Sequence, residues 1–232
     1  RMPRATVESL AAVARAEGST TYVALVALFN VLLHRHTGQE DLIIGTPVAN
    51  RTRRESESIF GYIANTLVLR TDCGGAPTFR ELVRRVRDGC AGAFRHQDMP
   101  FQKIVEALQP PRELSRTPIF QAFFTYEEVF TEPATMADLQ LSRVIVGSTV
   151  SRQDISMFLR QVSGEVLGSL EFSTDLFTRE SMVRLIAHFV RLGESAATLP
   201  DLPIADLDML TDVEVRVVRV RHGPDSGIPD AR

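Results

Sequence analysis

The sequence has no tryptophan, only two cysteines, and a net charge of only −3 over 232 residues. Cys73 and Cys90 can close at most one bridge and build no disulfide framework, so reduced, intracellular thiols and a cytoplasmic setting are expected. The 26 Lys plus Arg nearly balance 29 Asp plus Glu, which leaves no global field to draw the chain onto nucleic acid or an anionic membrane. The longest apolar run, Tyr22 to Leu33, is broken by Asn30 and falls short of the ~20 residues that cross a bilayer. Arg1-Met2-Pro3-Arg4 lacks the apolar core of a signal peptide, and whether Met2 is a start or an interior residue of something longer stays open. The P-loop, GxGxxG, CxxC, HExxH and GxSxG patterns are all missing, which removes the usual sequence grounds for nucleotide, dithiol, zinc or serine-nucleophile chemistry. What remains is an ordinary globular composition, 44% hydrophobic and 24% charged, long enough for one large domain or two small ones.

Hydrophobic spacing supplies the elements. Val7, Leu10, Ala11 and Ala14 recur at helical intervals, which predicts an amphipathic helix over about 5–17 ending near Gly18. Ser19, Thr20 and Thr21 offer caps for a second helix to about His36. It is apolar on every side, so it is expected at the centre of the core. Strands are expected at 41–47 and 63–70, and Thr78-Phe79-Arg80-Glu81 has the spacing of a capping box ahead of a helix. Pro100 opens a shorter helix with Phe101, Ile104, Val105 and Leu108 inward, stopped by Pro110-Pro111. Strands follow at about 118–127, 154–162 and 165–173, the last two flanking Ser163-Gly164 as a hairpin. A final helix over about 179–193 turns Met182, Leu185, Ile186 and Phe189 inward. After 199 an ordered, extended stretch packs its leucines back, and the tail from Gly223 is expected to be mobile. Mixed helices and strands in irregular order predict an α/β (α+β) layered sandwich, a mixed sheet covered by helices.

Few residues invite chemistry. His34 and His36 lie two apart, about 200° apart around a helix, so they cannot share an ion and read as polar residues meeting the helix dipole. No metal or bound cofactor is expected. In His96-Gln97-Asp98-Met99-Pro100-Phe101, a His near a carboxylate has the makings of an oriented general base. The same Asp98 ahead of Pro100 also suits a helix start that needs an oxygen for a free N–H. Asn65 and Thr66 put polar side chains in an apolar strand, where backbone or ligand must satisfy them. Arg116 is placed either to bind a phosphate or to be solvated. The run Arg51-Thr52-Arg53-Arg54 reads as a solvated turn balanced by Glu55 and Glu57.

The order of four segments says more than any one of them. Gln39 to Arg51 (QEDLIIGTPVANR), Phe60 to Arg70 (FGYIANTLVLR), His96 to Gln102 (HQDMPFQ) and Arg112 to Ile119 (RELSRTPI) together resemble the condensation domains of nonribosomal peptide synthetases. Leu170 to Phe177 is similar to that family's junction between a strand and its last helix, and Arg152-Gln153-Asp154 to the segment that opens a floor strand beneath its tunnel. Departures are mild: Ile63 for Phe, Gln102 for Glu and Glu113 for Asp. The resemblance implies a two-lobed, chloramphenicol acetyltransferase-like domain with its His-His-x-x-x-Asp-Gly signature in the N-terminal lobe. This chain has no His-His pair. Its only Asp-Gly, Asp88-Gly89, has Val83 and Arg84 where the histidines would stand. It therefore resembles the C-terminal lobe, over 1–198, with 199–232 as a linker toward an adenylation domain.

Several expectations follow from that resemblance. Asn65, Thr66 and Asp154 would shape the inter-lobe cleft. His96, Gln97 and Asp98 would brace a helix start, and Arg112, Ser115 and Arg116 would order the loop before the next strand. Substrates would arrive on the phosphopantetheine arms of peptidyl carrier proteins, and the partners would be an N-terminal lobe, an adenylation domain and a carrier. Without the histidine base the lobe alone would be silent in amide formation. Two rivals remain: an acyltransferase rebuilt by pairing with a separate N-terminal lobe, and a recruitment module that docks a carrier or tailoring enzyme without chemistry.

Overall fold

A computed structural model describes residues 1–111, 116–128, 135–136, 139–140 and 150–222. In chain order the elements are α1 (Arg4–Ala16), α2 (Thr21–Thr37), β1 (Asp41–Val48), α3 (Arg54–Glu57), β2 (Asn65–Asp72), α4 (Phe79–Arg95) and α5 (Phe101–Leu108). They continue with β3 (Ala122–Glu128), β4 (Thr135–Met136), β5 (Leu139–Gln140), β6 (Ile155–Val162), β7 (Glu165–Phe172), α6 (Arg179–Thr198) and α7 (Asp212–His222). The chain divides into two compact units. One holds Arg1, Ile43–Leu69 and Ala91–Phe177, and the other Met2–Leu42, Arg70–Cys90 and the described part of Thr178–Arg232.

The second of these, the helical unit, is built around α2. Thr20 caps it by accepting the Val23 N–H at 3.5 Å, and Gly38, at φ 70°, closes it in the left-handed region. Ten consecutive residues from Val23 to Leu32 are buried, so α2 needs apolar neighbours all round. α1 supplies Val7, Leu10 and Ala14, and α6 supplies Leu185, Phe189, Leu192 and Ala196. Asn30, the one polar residue in that run, is fully buried and donates from Nδ2 to Thr71 Oγ1 at 3.0 Å. At Gly193 a Cβ would lie 2.6 Å from the tip of Met2 and 3.2 Å from Leu28.

The start of α4 is closed by hydrogen bonds from within the helical unit. The Thr78 N–H donates to Glu81 Oε2 at 2.8 Å and the Glu81 N–H to Thr78 Oγ1 at 3.2 Å, the reciprocal pair that the spacing predicts. The next two free donors, Phe79 N–H and Arg80 N–H, reach the carbonyls of Leu202 (3.2 Å) and Pro200 (3.0 Å). Ile204 N–H returns to Pro77 O at 2.9 Å, so residues 200–204 lie along the helix start like a short strand. Arg35 donates to the carbonyls of Ile204 and Leu207, and both of those side chains are buried. The segment read as a linker therefore enters the core here, through Ile204 and Leu207 rather than through Leu199, which is 48% exposed.

The sheet orders its strands β2-β1-β3-β6-β7. β3 runs parallel to both β1 and β6, and β6 pairs antiparallel with β7 from Ile155↔Phe172 to Val162↔Glu165. The β6–β7 turn is Ser163-Gly164, at φ 51° and 85°, the doubly positive geometry that matches strand twist in two-residue hairpins. Within the sheet unit Gly45 is required by contact: a Cβ there would sit 2.4 Å from the buried ring of Phe120.

Several boundaries differ from expectation. β3 begins at Ala122 rather than 118, because Ile119 stands at φ 76° and breaks the extended run after Pro118. α6 runs on to Thr198, since Ser195 and Ala196 keep its buried face going past Gly193. On the same helix Ile186 is 37% exposed rather than inward. α5 was expected to bury Phe101, Ile104, Val105 and Leu108, yet none is buried and Leu108 is 64% exposed. The arginine run leads into a four-residue helix, α3. α7 lies where only an extended linker was expected. The tail from Gly223 lies outside the described residues.

Two outcomes follow. Gly45→Ala forces Phe120 off its position and is expected to lower stability by roughly 1–3 kcal/mol in urea unfolding. Burial pushes both thiols up to about 12, for Cys73 with the Asp72 carboxylate adding to it. An alkylating reagent at pH 8 is thus expected to leave Cys73 and Cys90 unlabelled until denaturant is added.

Candidate functional site

Two of the family-like segments, 60–70 and 96–102, meet at one side chain. Asn65 is the first residue of β2, and its Nδ2 donates to the carbonyls of Gln97 (2.8 Å) and Met99 (2.7 Å). Its Oδ1 accepts the Phe101 N–H at 3.2 Å. Pro100, the N-cap of α5, offers no side-chain oxygen, so a residue 36 positions before Phe101 does the capping. Asn65 therefore uses three of its four hydrogen-bonding positions on the turn and helix start. Asn65 takes backbone partners, the first of the two kinds its position allowed, and braces the turn. One expectation is corrected: Asp98 does not cap α5.

Asp98 instead accepts the Thr52 hydroxyl at 3.2 Å, which fastens the 96–99 turn to the loop after β1. That loop has its own anchor. The Arg51 guanidinium donates to the carbonyls of Ser56, Ile59 (3.0 Å) and Gly61 (3.3 Å), so Arg51 is structural and not a solvated member of the arginine run. The loop it holds displays Ile59, Phe60 and Tyr62 to solvent, Phe60 entirely and Tyr62 at 91% exposure. His96 is exposed, and its carbonyl closes the turn by accepting Met99 N–H at 3.0 Å. Gln97 contributes its carbonyl to Asn65. Thr66 follows on β2, half-buried.

Asp154 precedes β6, half-buried, and its carbonyl accepts the Ser173 N–H at 3.0 Å, which aligns the open end of the hairpin. The neighbouring Arg152 carbonyl accepts the Thr117 hydroxyl at 3.1 Å. Arg112 and Ser115 lie outside the described residues. Arg116 is exposed on the rim of a groove of about 920 Å³ whose walls include Val105, Gln109, Pro110, Pro118 and Ile119. Gln109 (φ 43°) and Ile119 (φ 76°) both hold left-handed backbone, which is costly for a β-branched residue such as Ile119. The structure thus unites Asn65, Gln97 and Asp98 in one bonded cluster, and gives Asp154 and Arg116 separate places within the sheet unit.

Sequence reasoning missed a second polar cluster, in the helical unit, where His188 sits buried among His36 and Glu214. The available signal was His188 itself. It falls on the same face as Leu185 and Phe189, where a polar ring requires partners. Among the described residues no group of three or more His, Cys, Asp and Glu is arranged to hold a metal ion.

A family model for the condensation domain matches residues 1–218. The chain belongs to the condensation-domain family. Tyrocidine synthase 3 of Brevibacillus parabrevis is 35% identical over 201 residues, which cover 87% of this chain and 3% of that protein. Gramicidin S synthase 2 of Brevibacillus brevis is 31% identical over 214 residues, 91% of this chain and 5% of that protein. Among solved structures, the X-domain in its complex with OxyB from teicoplanin biosynthesis superposes with a TM-score of 0.81 at 30% identity. The match covers 91% of this chain and 47% of that one. A four-domain nonribosomal peptide synthetase, holo-AB3403 bound to AMP and glycine, has the same fold at a TM-score of 0.83 and 24% identity, over 92% of this chain and 17% of that one. The mixed sheet with its helices is therefore the chloramphenicol acetyltransferase-like α/β fold of condensation domains, as expected. The chain spans a few per cent of the curated synthetases and about half of the solved X-domain chain.

The Asn65 cluster can be tested by stability. Asn65→Ala strands two carbonyls and one helix N–H and is expected to cost about 2–3 kcal/mol in urea unfolding. His96→Ala, on an exposed ring, is expected to stay within about 0.5 kcal/mol.

Proposed function

We propose that this chain is the C-terminal lobe of a nonribosomal peptide synthetase condensation domain and supplies one wall of a cleft that a second lobe completes. The observation that carries the reading is the matching share. Nine-tenths of this chain aligns with less than half of an X-domain chain, while the sequence holds no His-His pair. In the complete domain an acceptor amine attacks a carrier-tethered thioester carbonyl; a C–N bond forms, the C–S bond breaks, and the amine proton passes to a base while the thiolate leaves. This lobe carries no histidine in the family's position for that base, so its part is to shape and position. Substrates come on phosphopantetheine arms, with a peptidyl carrier protein and an adenylation domain as neighbours in the cytoplasm. The sequence boundary at 198 is moved by the packing of Ile204 and Leu207: the lobe closes with the strap through Leu207, and the chain beyond it leads on toward the adenylation domain.

The half-buried apolar face of α5 and the fully exposed Phe60 support a partner surface on the sheet unit, because isolated monomers rarely leave such rings in water without use. Thr66 and Asp154 would face the cleft when that partner is present. A second reading has its own support: the X-domain, 30% identical, is seen in complex with OxyB, so a lobe of this kind can serve as a docking platform.

The test is an amide-formation assay with loaded donor and acceptor carriers, alongside the solution mass. The chain alone is expected to be a monomer with no product above background, and added N-terminal lobe is expected to restore turnover. Turnover by the chain alone would overturn the reading. Binding of a carrier or of OxyB, with no turnover even when the N-terminal lobe is present, would favour the platform.

A further inference from the structure

α7 is a helix that its own sequence does not favour. Five of its eleven residues are valine, and Val213, Val215 and Val217 alternate with Glu214 and Arg216 in the period of a strand. Valine loses side-chain freedom in a helix, and even alanine-rich helices shorter than about 12 residues are marginal in water. α7 must therefore be held in shape by the rest of the helical unit.

That hold is polar and centred on one residue. Glu214 meets His188 Nε2 on α6 with both carboxylate oxygens, at 3.0 and 2.9 Å. His188 is 6% exposed, and its Nδ1 lies 3.1 Å from His36 Nε2 on α2. The same Glu214 closes the helix start: its Oε2 accepts the Thr211 N–H (2.9 Å) and hydroxyl (2.7 Å), and its own N–H returns to Thr211 Oγ1 at 3.4 Å. Apolar packing adds little over 212–217, where Val213 and Val217 are 71% and 47% exposed and Val215 is half-buried. The strap just before is fixed far more firmly, by the buried side chains of Ile204 and Leu207 and by the Asp208 N–H, which donates to Ser195 Oγ at 3.0 Å. Within a few residues the chain passes from a segment sunk in the core to a helix pinned at one carboxylate.

We propose that α7 is a releasable tether: Glu214 pins it as a helix, and when the pin opens residues 212–222 unfold and lengthen the chain beyond the strap. Docking and helix formation are one event, because Glu214 reaches Thr211 and His188 together only from a helical first turn, and so short a valine-rich helix does not persist without them. Thermal opening of this kind belongs to elements with few buried apolar contacts. As a helix the eleven residues span about 16 Å, and extended they reach about 36 Å, a gain of about 20 Å. Ile204 and Leu207 keep the core closed throughout. On the reading that the chain leads on to an adenylation domain, the tether sets how far that domain can swing from the lobe.

Amide hydrogen exchange on the full chain tests the pin, with α6 and residues 200–207 as internal standards. Residues 212–222 are expected to exchange at least tenfold faster than α6. Glu214→Ala is expected to speed them a further tenfold or more while both standards keep their protection. Val213→Ala combined with Val217→Ala alters only exposed positions and raises helix propensity, so it is expected to slow exchange in α7 about fivefold. Spin labels on Leu199→Cys and His222→Cys, with both native thiols buried, are expected to show a longer, broader distance population in Glu214→Ala than in the unaltered Glu214 background. Protection of α7 equal to that of α6, no change in Glu214→Ala by either readout, or no response to the alanine pair would overturn the proposal. None of these measurements involves an adenylation domain, so failure of the tether and failure of that domain assignment are told apart.

Discussion

A helix that buries ten residues in a row cannot exist alone, and α2 makes that demand on everything in the helical unit. A one-sided helix can rest on a single partner, whereas α2 must be enclosed. α1 and α6 meet the requirement with facing apolar stripes, and Met2 fills the space that Gly193 leaves open. Leu25 and Leu28 at its centre have no exposed surface, and truncating either would remove on the order of 2–5 kcal/mol. The polar exception is compensated in part: Thr71 accepts from the Asn30 amide nitrogen, while Asn30 Oδ1 is buried with no partner among the described residues.

Enclosure by apolar packing leaves backbone groups to be satisfied, and both units use distant residues for that purpose. In the helical unit the carbonyls of residues 200 and 202 take the N–H groups that open α4. In the sheet unit Asn65 does the same for α5. Each joins segments far apart in sequence through directional bonds that tolerate little misplacement, which is how a loop between two elements acquires one conformation. Family resemblance in the HQDMPFQ and FGYIANT segments then has a physical meaning: they are two halves of one capping device.

That distinction decides what was legible in the chain. Local signals were reliable: the Thr78–Glu81 capping box, the Ser163-Gly164 hairpin and the all-round apolarity of α2 depend on neighbours within a few positions. Asn65 announced only that it needed partners, because nothing local says that residues 97, 99 and 101 will be beside it. Asp98 misled for the same reason: a carboxylate two residues before Pro100 is a fair local cap, and Asn65 from a distant strand took that place. His188 was legible as a polar ring on an apolar face, while its partners Glu214 and His36 were set by tertiary packing. α7 escaped notice because its valines at 213 and 217 face solvent, so its periodicity marks no core face.

The strap at 199–211 bears on where this chain can be joined to another. A fusion junction drawn at residue 198, where the sequence suggests a natural seam, would strip Ile204 and Leu207 from the core and leave two helix-opening amides and the Arg35 guanidinium without their acceptors. Transplants cut there would inherit an open core edge from one parent and a mismatched strap from the other. A junction placed beyond Leu207 carries the helical unit's own closure with it.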